Sequence, residues 1–554
     1  MSERTKSERN TNIAALIAAA LVTLVALFAN LGAIGLLGPD ETRYAWIARA
    51  MAETGDWVTP KLWGAPWFEK PVLYYWAAAI GFGMHLPAEW AARLPSAFGA
   101  VAAAVAIAYF AWRHYGSDGN LSTSPALLAP VIFSTSVAAI AFARAATPDM
   151  LFSAAITLAM LCAASLLRQA GALRATTAAH TEIQNRNLPI LVLWGASLGL
   201  GVLAKGPAAV ILAGGAVGIW ALATSQWRAA LRLARPVAIA AFCAVALPWY
   251  MLCAHRNPDF LHVFIFQHNF ERYLTPLYRH QQPFWFFGPI TILALLPWSA
   301  FLIAAAQEAL RLWREKSWKN SPGFFAACWA LFPIVFFSFS QSKLPSYILP
   351  AVPALALIAA ISANRAFQRS RADAIILSAG IGATGIALAA VFLHATHKLP
   401  FTEMGDAVSL LSKASLAIAI MVAAAILYAG INRNLRLVVI LTGLSAAVTL
   451  EAANTAVLPA LDPYISARPH AAFFQNDLHP DRIFTYELRR AWSYGLAFYF
   501  HREISEWSPQ DPDAALVLTS REGLKKIVKA GRFRSAEEPP ARGIIYVPVA
   551  PAPR

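Results

Sequence analysis

A chain of 554 residues that is 58% hydrophobic and 14% charged, with mean hydropathy +0.51, lies outside the soluble range and inside that of proteins built largely of membrane spans. The formal charge of +15 is carried mostly by short Lys/Arg clusters between apolar runs, a pattern of membrane topology that excludes a nucleic-acid partner from the reading. Cys162, Cys243, Cys253 and Cys328 sit in or at the ends of apolar runs with no C-x-x-C spacing, which leaves neither a disulfide framework nor a zinc site.

In chain order, the polar and basic "MSERTKSERN" is followed by an apolar stretch from about Ile13 to Leu37. It exceeds the roughly 7 to 15 residues of a signal-peptide core and is read as a retained first span. Further apolar runs fall near 93–112, 125–142, 149–167, 188–204, 207–223, 236–253, 286–307, 323–340, 345–362, 374–394, 414–431 and 435–459, which predicts a polytopic α-helical membrane protein of about thirteen spans. The cationic clusters, from Arg4/Lys6/Arg9 through Arg228/Arg232/Arg235 to Arg433/Arg436, all fall on one side of that topology, the expected cytoplasmic side. The other side holds a first loop 38–92, the turns at Arg144, Lys205 and Lys343, the loop 254–285 and the C-terminal tail.

The first loop opens with "PDETRYAWIARAM". Pro39 is expected to end the first span and Asp40 to cap a helix whose Tyr44, Ile47, Ala48 and Met51 share one face, with Arg49 and Glu53 at i, i+4. Such a helix is expected to lie in the membrane interface, followed by the aromatic-rich "GDWVTPKLWGAPWFEKPVLYYW". Helix capping and catalysis are both open for Asp40 at this point.

Other ionisable groups gather on the same side: Arg144 and Asp149 in "ARAATPDM", Lys205 in "AKGP", and Lys343 with Tyr347 in "SKLPSYILP". A charge at the centre of a membrane helix costs about 2.5 to 3.5 kcal/mol on insertion scales, so such groups default to a functional role, with snorkelling as the alternative for each lysine. Loop 254–285 adds Arg256, His268, Arg272, Arg279 and His280 among aromatics. No phosphate-binding G-x-x-x-x-G-K-[ST] loop, H-E-x-x-H or G-x-S-x-G pattern is present. Cations and acids at a lipid-level surface without a nucleotide loop point to a lipid phosphate as substrate. A lipid-phosphate transporter or flippase would need similar cations, but transporters show internal repeats and midplane polar groups that this chain lacks.

From residue 463 the apolar runs shorten and charges of both signs mix. "DRIFTYEL", "AALVLTS" and "GIIYVPV" read as strands, and "RRAWSYGLAFYFH" and "SREGLKKIVKAG" as helices. The expected organisation is a membrane domain over 1–462, including the loops 38–92 and 254–285, and a small extracytoplasmic α/β domain over 463–554.

The stretches "PDETRYAWIARAM", "GDWVTPKLWG", "FEKPVLYYW" and "AARLPSA", followed in order by "TPD", "LAKGP", "HNFERYLTP" and "SKLPSYILP", resemble the bacterial aminoarabinose transferases of the protein-mannosyltransferase-like glycosyltransferases. The resemblance implies a GT-C-type inverting enzyme of the bacterial inner membrane, with cytoplasmic N-terminus and periplasmic tail. It implies transfer of a sugar from undecaprenyl phosphate to an envelope acceptor, 4-amino-4-deoxy-L-arabinose to lipid A being the first expectation. A related transferase using another prenyl-linked sugar on a different glycolipid or protein is the alternative. It assigns Asp40 and Asp149 as catalytic carboxylates. Lys70, Arg272 and Tyr347, joined by Lys343, go to the prenyl phosphate, and Glu41, Arg43, Tyr44, Glu69, Lys205 and His268 to the substrate cavity. No cofactor is required by it, and a divalent metal at Glu69 is left open. The chain departs from the aminoarabinose pattern at Val72, where a second proline is expected, and at Gln267 and Asn269, where a spaced histidine pair is expected.

Overall fold

In hydrocarbon the backbone must be satisfied within the protein, and each of the apolar runs is helical over most of its length among the described residues. The computed structural model describes residues 3–115, 124–172, 187–271, 281–396, 406–477, 483–508, 510–511, 515–531 and 544–549. Among them, 8 helices are long and apolar enough to cross a membrane, or up to 10 if each of two bent pairs is one span. The bent pairs are Pro125–Ser134 with Val137–Ala143, at 60°, and Phe284–Ala294 with Trp298–Arg314, at 115°. Ile13–Phe28, Ala208–Thr224 and Gly323–Ser338 are shorter apolar helices. Eight to ten spans thus stand by length and composition among the described residues, the three shorter apolar helices fall on the remaining predicted runs, and two of the runs, 125–142 and 286–307, are broken helices. Ser136 starts a new helix by accepting from Ala139 N, and Pro297 has no N–H to continue a ladder.

The helices are named in chain order: α1 (Glu3–Phe28), α2 (Gly38–Thr54), α3 (Leu73–Gly83), α4 (Ala88–Tyr115), α5 (Pro125–Ser134), α6 (Val137–Ala143) and α7 (Asp149–Ala172). The core among the spans is rich in alanine, which lets backbones approach. Gly195 and Gly199, four apart on the helix Leu188–Lys205, face the helix Pro236–Arg256; a Cβ on Gly195 would sit 2.0 Å from the Ala238 carbonyl oxygen and one on Gly199 2.8 Å from Val245 Cβ. Only glycine fits at that crossing.

α1 stops at Phe28, well short of Pro39, and residues 29–37 are non-helical. Irregular backbone at this depth is tolerated only where protein satisfies it, and here side chains do so. Arg144 donates to the carbonyls of Ala29 and Asn30, Arg93 to those of Leu31, Ile34 and Gly35, and Arg468 to those of Gly32 and Ala33. The amides of Gly35, Leu36 and Leu37 donate to Asp462, Tyr499 and Glu41. The strap sets where α2 begins.

α2 buries Tyr44, Ala45, Ile47, Ala48 and Met51, as its periodicity predicts, and Gly55, at φ 69°, ends it. Its apolar face is covered by protein rather than lipid, packing on α3 and on the helix that carries Phe498, in a cluster that also holds Trp249 and Tyr250 of Pro236–Arg256. The hairpin β1 (Lys61–Leu62) and β2 (Ala65–Pro66) follows.

The segments predicted as strands in the tail form one sheet: β3 (Ile483–Tyr486) is parallel to β4 (Ala515–Thr519), which is antiparallel to β5 (Ile545–Val549). The helices Arg490–Phe500 and Arg521–Lys529 are also as expected. Arg490–Phe500 buries Leu496 toward the sheet and Phe498 toward α2, so one helix joins the tail to the first loop. The helix Leu458–Ile465 runs through position 463.

His470 is fully buried, with Nδ1 2.8 Å from the Tyr546 hydroxyl and Nε2 3.2 Å from the Pro463 carbonyl. Burial pushes its pKa down to about 4, against the opposing pull of that carbonyl and Asp462. Unfolded, it titrates near 6.5. Between those values the unfolded chain binds a proton that the folded one excludes, so the sheet keeps full stability above about pH 6.5 and loses it as pH falls toward 4. Hydrogen exchange at the β3–β5 amides should quicken over that window, and His470→Gln should flatten the dependence.

Candidate active site

Asp40 and Glu41 are consecutive in the first turn of α2, so they point about 100° apart around the helix. Glu41 turns inward. It is 6% exposed; Oε2 accepts from Leu37 N at 2.7 Å and from Arg93 Nη2 at 2.9 Å, and Oε1 accepts from Ala146 N at 2.7 Å. Expected in the substrate cavity, Glu41 instead bolts the strap to α4 and to the segment before α7, with no oxygen left for a substrate. Asp40 turns outward, its side chain 58% exposed, with Oδ1 2.5 Å from Arg43 Nη2. It is not the expected cap: the helix begins after Leu37, which has no capping side chain, and the Leu37 amide is taken by Glu41.

Arg43 is the hub. Its Nη2 is also 2.8 Å from Glu69 Oε2, and Lys70 Nζ lies 3.4 Å from Glu69 Oε1. The guanidinium sits over the rings of Trp67 at 5.1 Å and Tyr44 at 5.4 Å. Burial opposes its charge, but Glu69, Tyr44 and Asp40 outweigh that and hold Arg43 above its ordinary value. Tyr44 is buried beside Tyr75, ring centroids 6.1 Å apart, and burial raises both hydroxyls well above the usual phenol range. The Tyr75 hydroxyl is buried with no hydrogen-bond partner among the described residues, and it interacts electrostatically with Glu69, Arg43 and Asp40. A buried polar atom left open beside a charged cluster is a site feature the sequence reading missed. The "YY" pair was visible there, but not which tyrosine faces the charges.

A second group meets the first. Asp149 opens α7 and Lys205 closes the helix Leu188–Lys205, so two elements distant in sequence bring Lys205 Nζ against Asp149 Oδ1. Lys205 lies over the rings of Tyr347, at 5.3 Å, and Phe152, at 5.6 Å. Lys70 is within electrostatic reach of Asp149, which makes Asp40, Arg43, Glu69, Lys70, Asp149, Lys205 and Tyr347 one polar region at a common end of the spans. Lys343 is a correction. Expected at a phosphate, it is 8% exposed and donates to the carbonyls of Ser340 at 2.7 Å and Gln282 at 3.0 Å, tying two chain segments. His268 is half-buried on the π-helix His262–Glu271, and Arg272 lies outside the described residues.

A divalent metal does not fit at Glu69. Its carboxylate already lies between two cations, and among the described residues no group of three or more His, Cys, Asp or Glu could hold an ion.

Residues 12–264 match the family model for dolichyl-phosphate-mannose-protein mannosyltransferase. The match covers less than half of the chain. The matched segment carries Asp40, Arg43, Glu69, Lys70, Asp149 and Lys205 and stops before Tyr347. The chain is 33% identical over 330 residues to the undecaprenyl phosphate-alpha-4-amino-4-deoxy-L-arabinose arabinosyl transferase of Yersinia enterocolitica, covering 59% of this chain and 55% of that one. It is 33% identical over 392 residues to the Pseudomonas aeruginosa protein of the same name, covering 70% and 65%. The matched stretch is thus less than two thirds of either relative's length. The crystal structure of ArnT from Cupriavidus metallidurans bound to undecaprenyl phosphate shares the fold, with TM-score 0.74 over 97% of this chain and 99% of that one, at 22% identity. The chain is a multi-pass membrane protein that shares the fold of that structure.

Proposed function

We propose that this chain is a polyprenyl-phosphate-dependent glycosyltransferase that moves 4-amino-4-deoxy-L-arabinose from undecaprenyl phosphate to lipid A. The proposed place is the periplasmic face of a bacterial inner membrane, with the N-terminus cytoplasmic and the tail periplasmic. The observation that carries this reading is the convergence of an outward-facing carboxylate, Asp40, with Arg43, Lys70 and Lys205 at one end of the spans. The names of the relatives supply the sugar.

The bond from the anomeric carbon to the prenyl phosphate oxygen breaks while an acceptor oxygen bonds to that carbon, and prenyl phosphate leaves carrying the electron pair. In this reading Lys70 and Lys205 stabilise its charge, a role supported by their nearness to Asp149 and, for Lys205, to Tyr347, with bilayer and protein excluding water. Asp40 takes the proton if the acceptor is a hydroxyl. If the acceptor is already an anionic phosphate, no proton moves, and Asp40 with Arg43 orients acceptor and sugar. Direct displacement inverts the anomeric carbon.

The test is mass spectrometry of lipid A from cells with the wild-type protein, without it, and with Asp40→Asn. A pentosamine on a lipid A phosphate should vanish in both altered strains; lipid A identical in all three overturns the reading. Because Asp40 caps nothing, Asp40→Asn should reach the membrane at wild-type abundance and still lose about 10² in rate toward a lipid A phosphate, the cost of misplacing the reactants that Asp40 and Arg43 orient.

A further inference from the structure

A cleft of about 320 Å³ opens between α2, the β1–β2 hairpin and the turn after the helix Arg490–Phe500, and the reaction derived above does not use it. Trp46 and Trp63 contribute indole walls, Asp56 and Glu503 carboxylates, and Lys61 and His501 cationic or donor groups. Aromatic walls with a few polar groups of both signs, at a junction between parts of a chain, suit a small ligand with apolar faces and many polar substituents. A phosphorylated saccharide has that character: ring faces suited to indoles, hydroxyls suited to carboxylates, and phosphates that would compete with Asp56, 3.0 Å from the Lys61 ammonium, for that cation.

Trp63 gives an independent reason to read the cleft as built for a ligand. Leu62 pairs with Ala65, so Trp63 and Gly64 are the whole hairpin turn, and both have positive φ, 51° and 82°. A two-residue turn with φ positive at both positions favours Asn, Asp or Gly at the first; a bulky residue there is strained. Strain held at one residue points to a use for its side chain. The Trp63 ring meets Tyr494 of the tail, centroids 5.0 Å apart, and forms part of the cleft wall.

The cleft also leads to the reacting groups. Trp46 and Ala50 follow Arg43 on one face of α2, at i+3 and i+7, so the cleft starts within about 10 Å of Arg43 along the helix. On its other wall, the hairpin closes with Trp67 N donating to Pro60 O at 2.8 Å, and the Trp67 ring lies against Arg43. The donor's phosphate is assigned to Lys70 and Lys205 and its prenyl chain to the bilayer. The cleft, by contrast, is made wholly from the first loop and the tail.

We propose that this cleft docks the saccharide headgroup of the acceptor glycolipid and, with Trp63 as its stacking wall, sets acceptor choice. The proposal rests on the transferase reading above. It is tested with the full-length protein in lipid nanodiscs, using the phosphorylated glucosamine disaccharide of lipid A freed of its acyl chains as probe. Trp63→Asn removes the ring while suiting the turn, so the fold is kept; Trp63→Tyr keeps a ring. Disaccharide Kd and acceptor KM should each rise at least tenfold in Trp63→Asn and stay within about threefold in Trp63→Tyr, with donor KM unaltered in both. A wild-type protein that does not bind the disaccharide, or a Trp63→Asn protein that binds it as well as wild type, overturns the proposal. The binding titration needs no turnover. If the disaccharide binds through Trp63 but no aminopentose reaches lipid A, the transferase reading falls and the saccharide site stands; if transfer runs and Trp63→Asn changes neither constant, the docking site falls alone.

Discussion

Glu41→Ala should nearly empty the membrane of folded protein, although Glu41 adjoins a residue whose loss should affect only the reaction. Its carboxylate answers Arg93, which is 3% exposed, and two backbone amides, those of Leu37 and Ala146. Removing it strands a buried guanidinium among carbonyls and leaves both amides without their acceptor. Breaking a buried ion pair from one side costs about 3–5 kcal/mol, a large part of the roughly 5–15 kcal/mol that holds a domain folded. The loss falls on the strap 29–37, whose carbonyls Arg93 also holds, so α2 should lose its fixed starting point. Immunoblots of membrane fractions should show abundance reduced several-fold or more, and the protein that is recovered should melt earlier in detergent. Arg93→Met should behave alike, and the double variant Glu41→Ala/Arg93→Met should cost less than the two singles added, because no charge is then stranded. Wild-type abundance in Glu41→Ala would mean that the pair is not structural.

The same strap shows where sequence reading stops. Its bonds come from Arg93, Arg144 and Arg468, up to 62, 115 and 436 residues away from the carbonyls they satisfy, and no local pattern encodes a partner at such separations. Hydropathy therefore carried the first span on to Leu37, since apolar residues 29–37 score as membrane whether or not they are helical. The same blindness merged the bent pairs at Thr135–Ser136 and near Pro297 into single runs. The legible elements were those whose signal is local: the 3.6-residue face of α2 and the short alternating strands β3, β4 and β5. Asp40, Asp149 and Lys205 stood out because an ionised residue at the end of an apolar run needs a reason. That argument could not rank them against Glu41 or Lys343, which are equally costly. Partners separate Asp40 from them: Glu41 and Lys343 have theirs inside the protein, as do Asp149 and Lys205 in each other, whereas the Asp40 side chain faces outward.

Lys205→Met should reduce sugar transfer by about 10² or more, the loss expected when one preorganised donor to a developing anion is removed. Lys205 ends its helix against Asp149 and over Tyr347, with Lys70 in reach of the same carboxylate. Two roles for Asp149 make different predictions. If it acts by holding Lys205 toward the leaving phosphate, Asp149→Asn should lower transfer, and adding it to Lys205→Met should lower transfer no further, because the two act as one unit. If Asp149 touches sugar or acceptor itself, the double variant should be slower than either single by roughly the product of their effects. Methionine nearly preserves the lysine stem's volume and its contact with the Phe152 and Tyr347 rings but strands the largely buried Asp149 carboxylate, so Lys205→Met should accumulate less than wild type. Rates are therefore taken per folded protein recovered, and Lys205→Met/Asp149→Asn, which strands no charge, should regain abundance. Single-turnover transfer from a purified prenyl-phosphate aminopentose donor in nanodiscs measures all four proteins without interference from product release. Transfer by Lys205→Met within a few-fold of wild type would remove Lys205 from the phosphate site and leave it a helix-end ion pair.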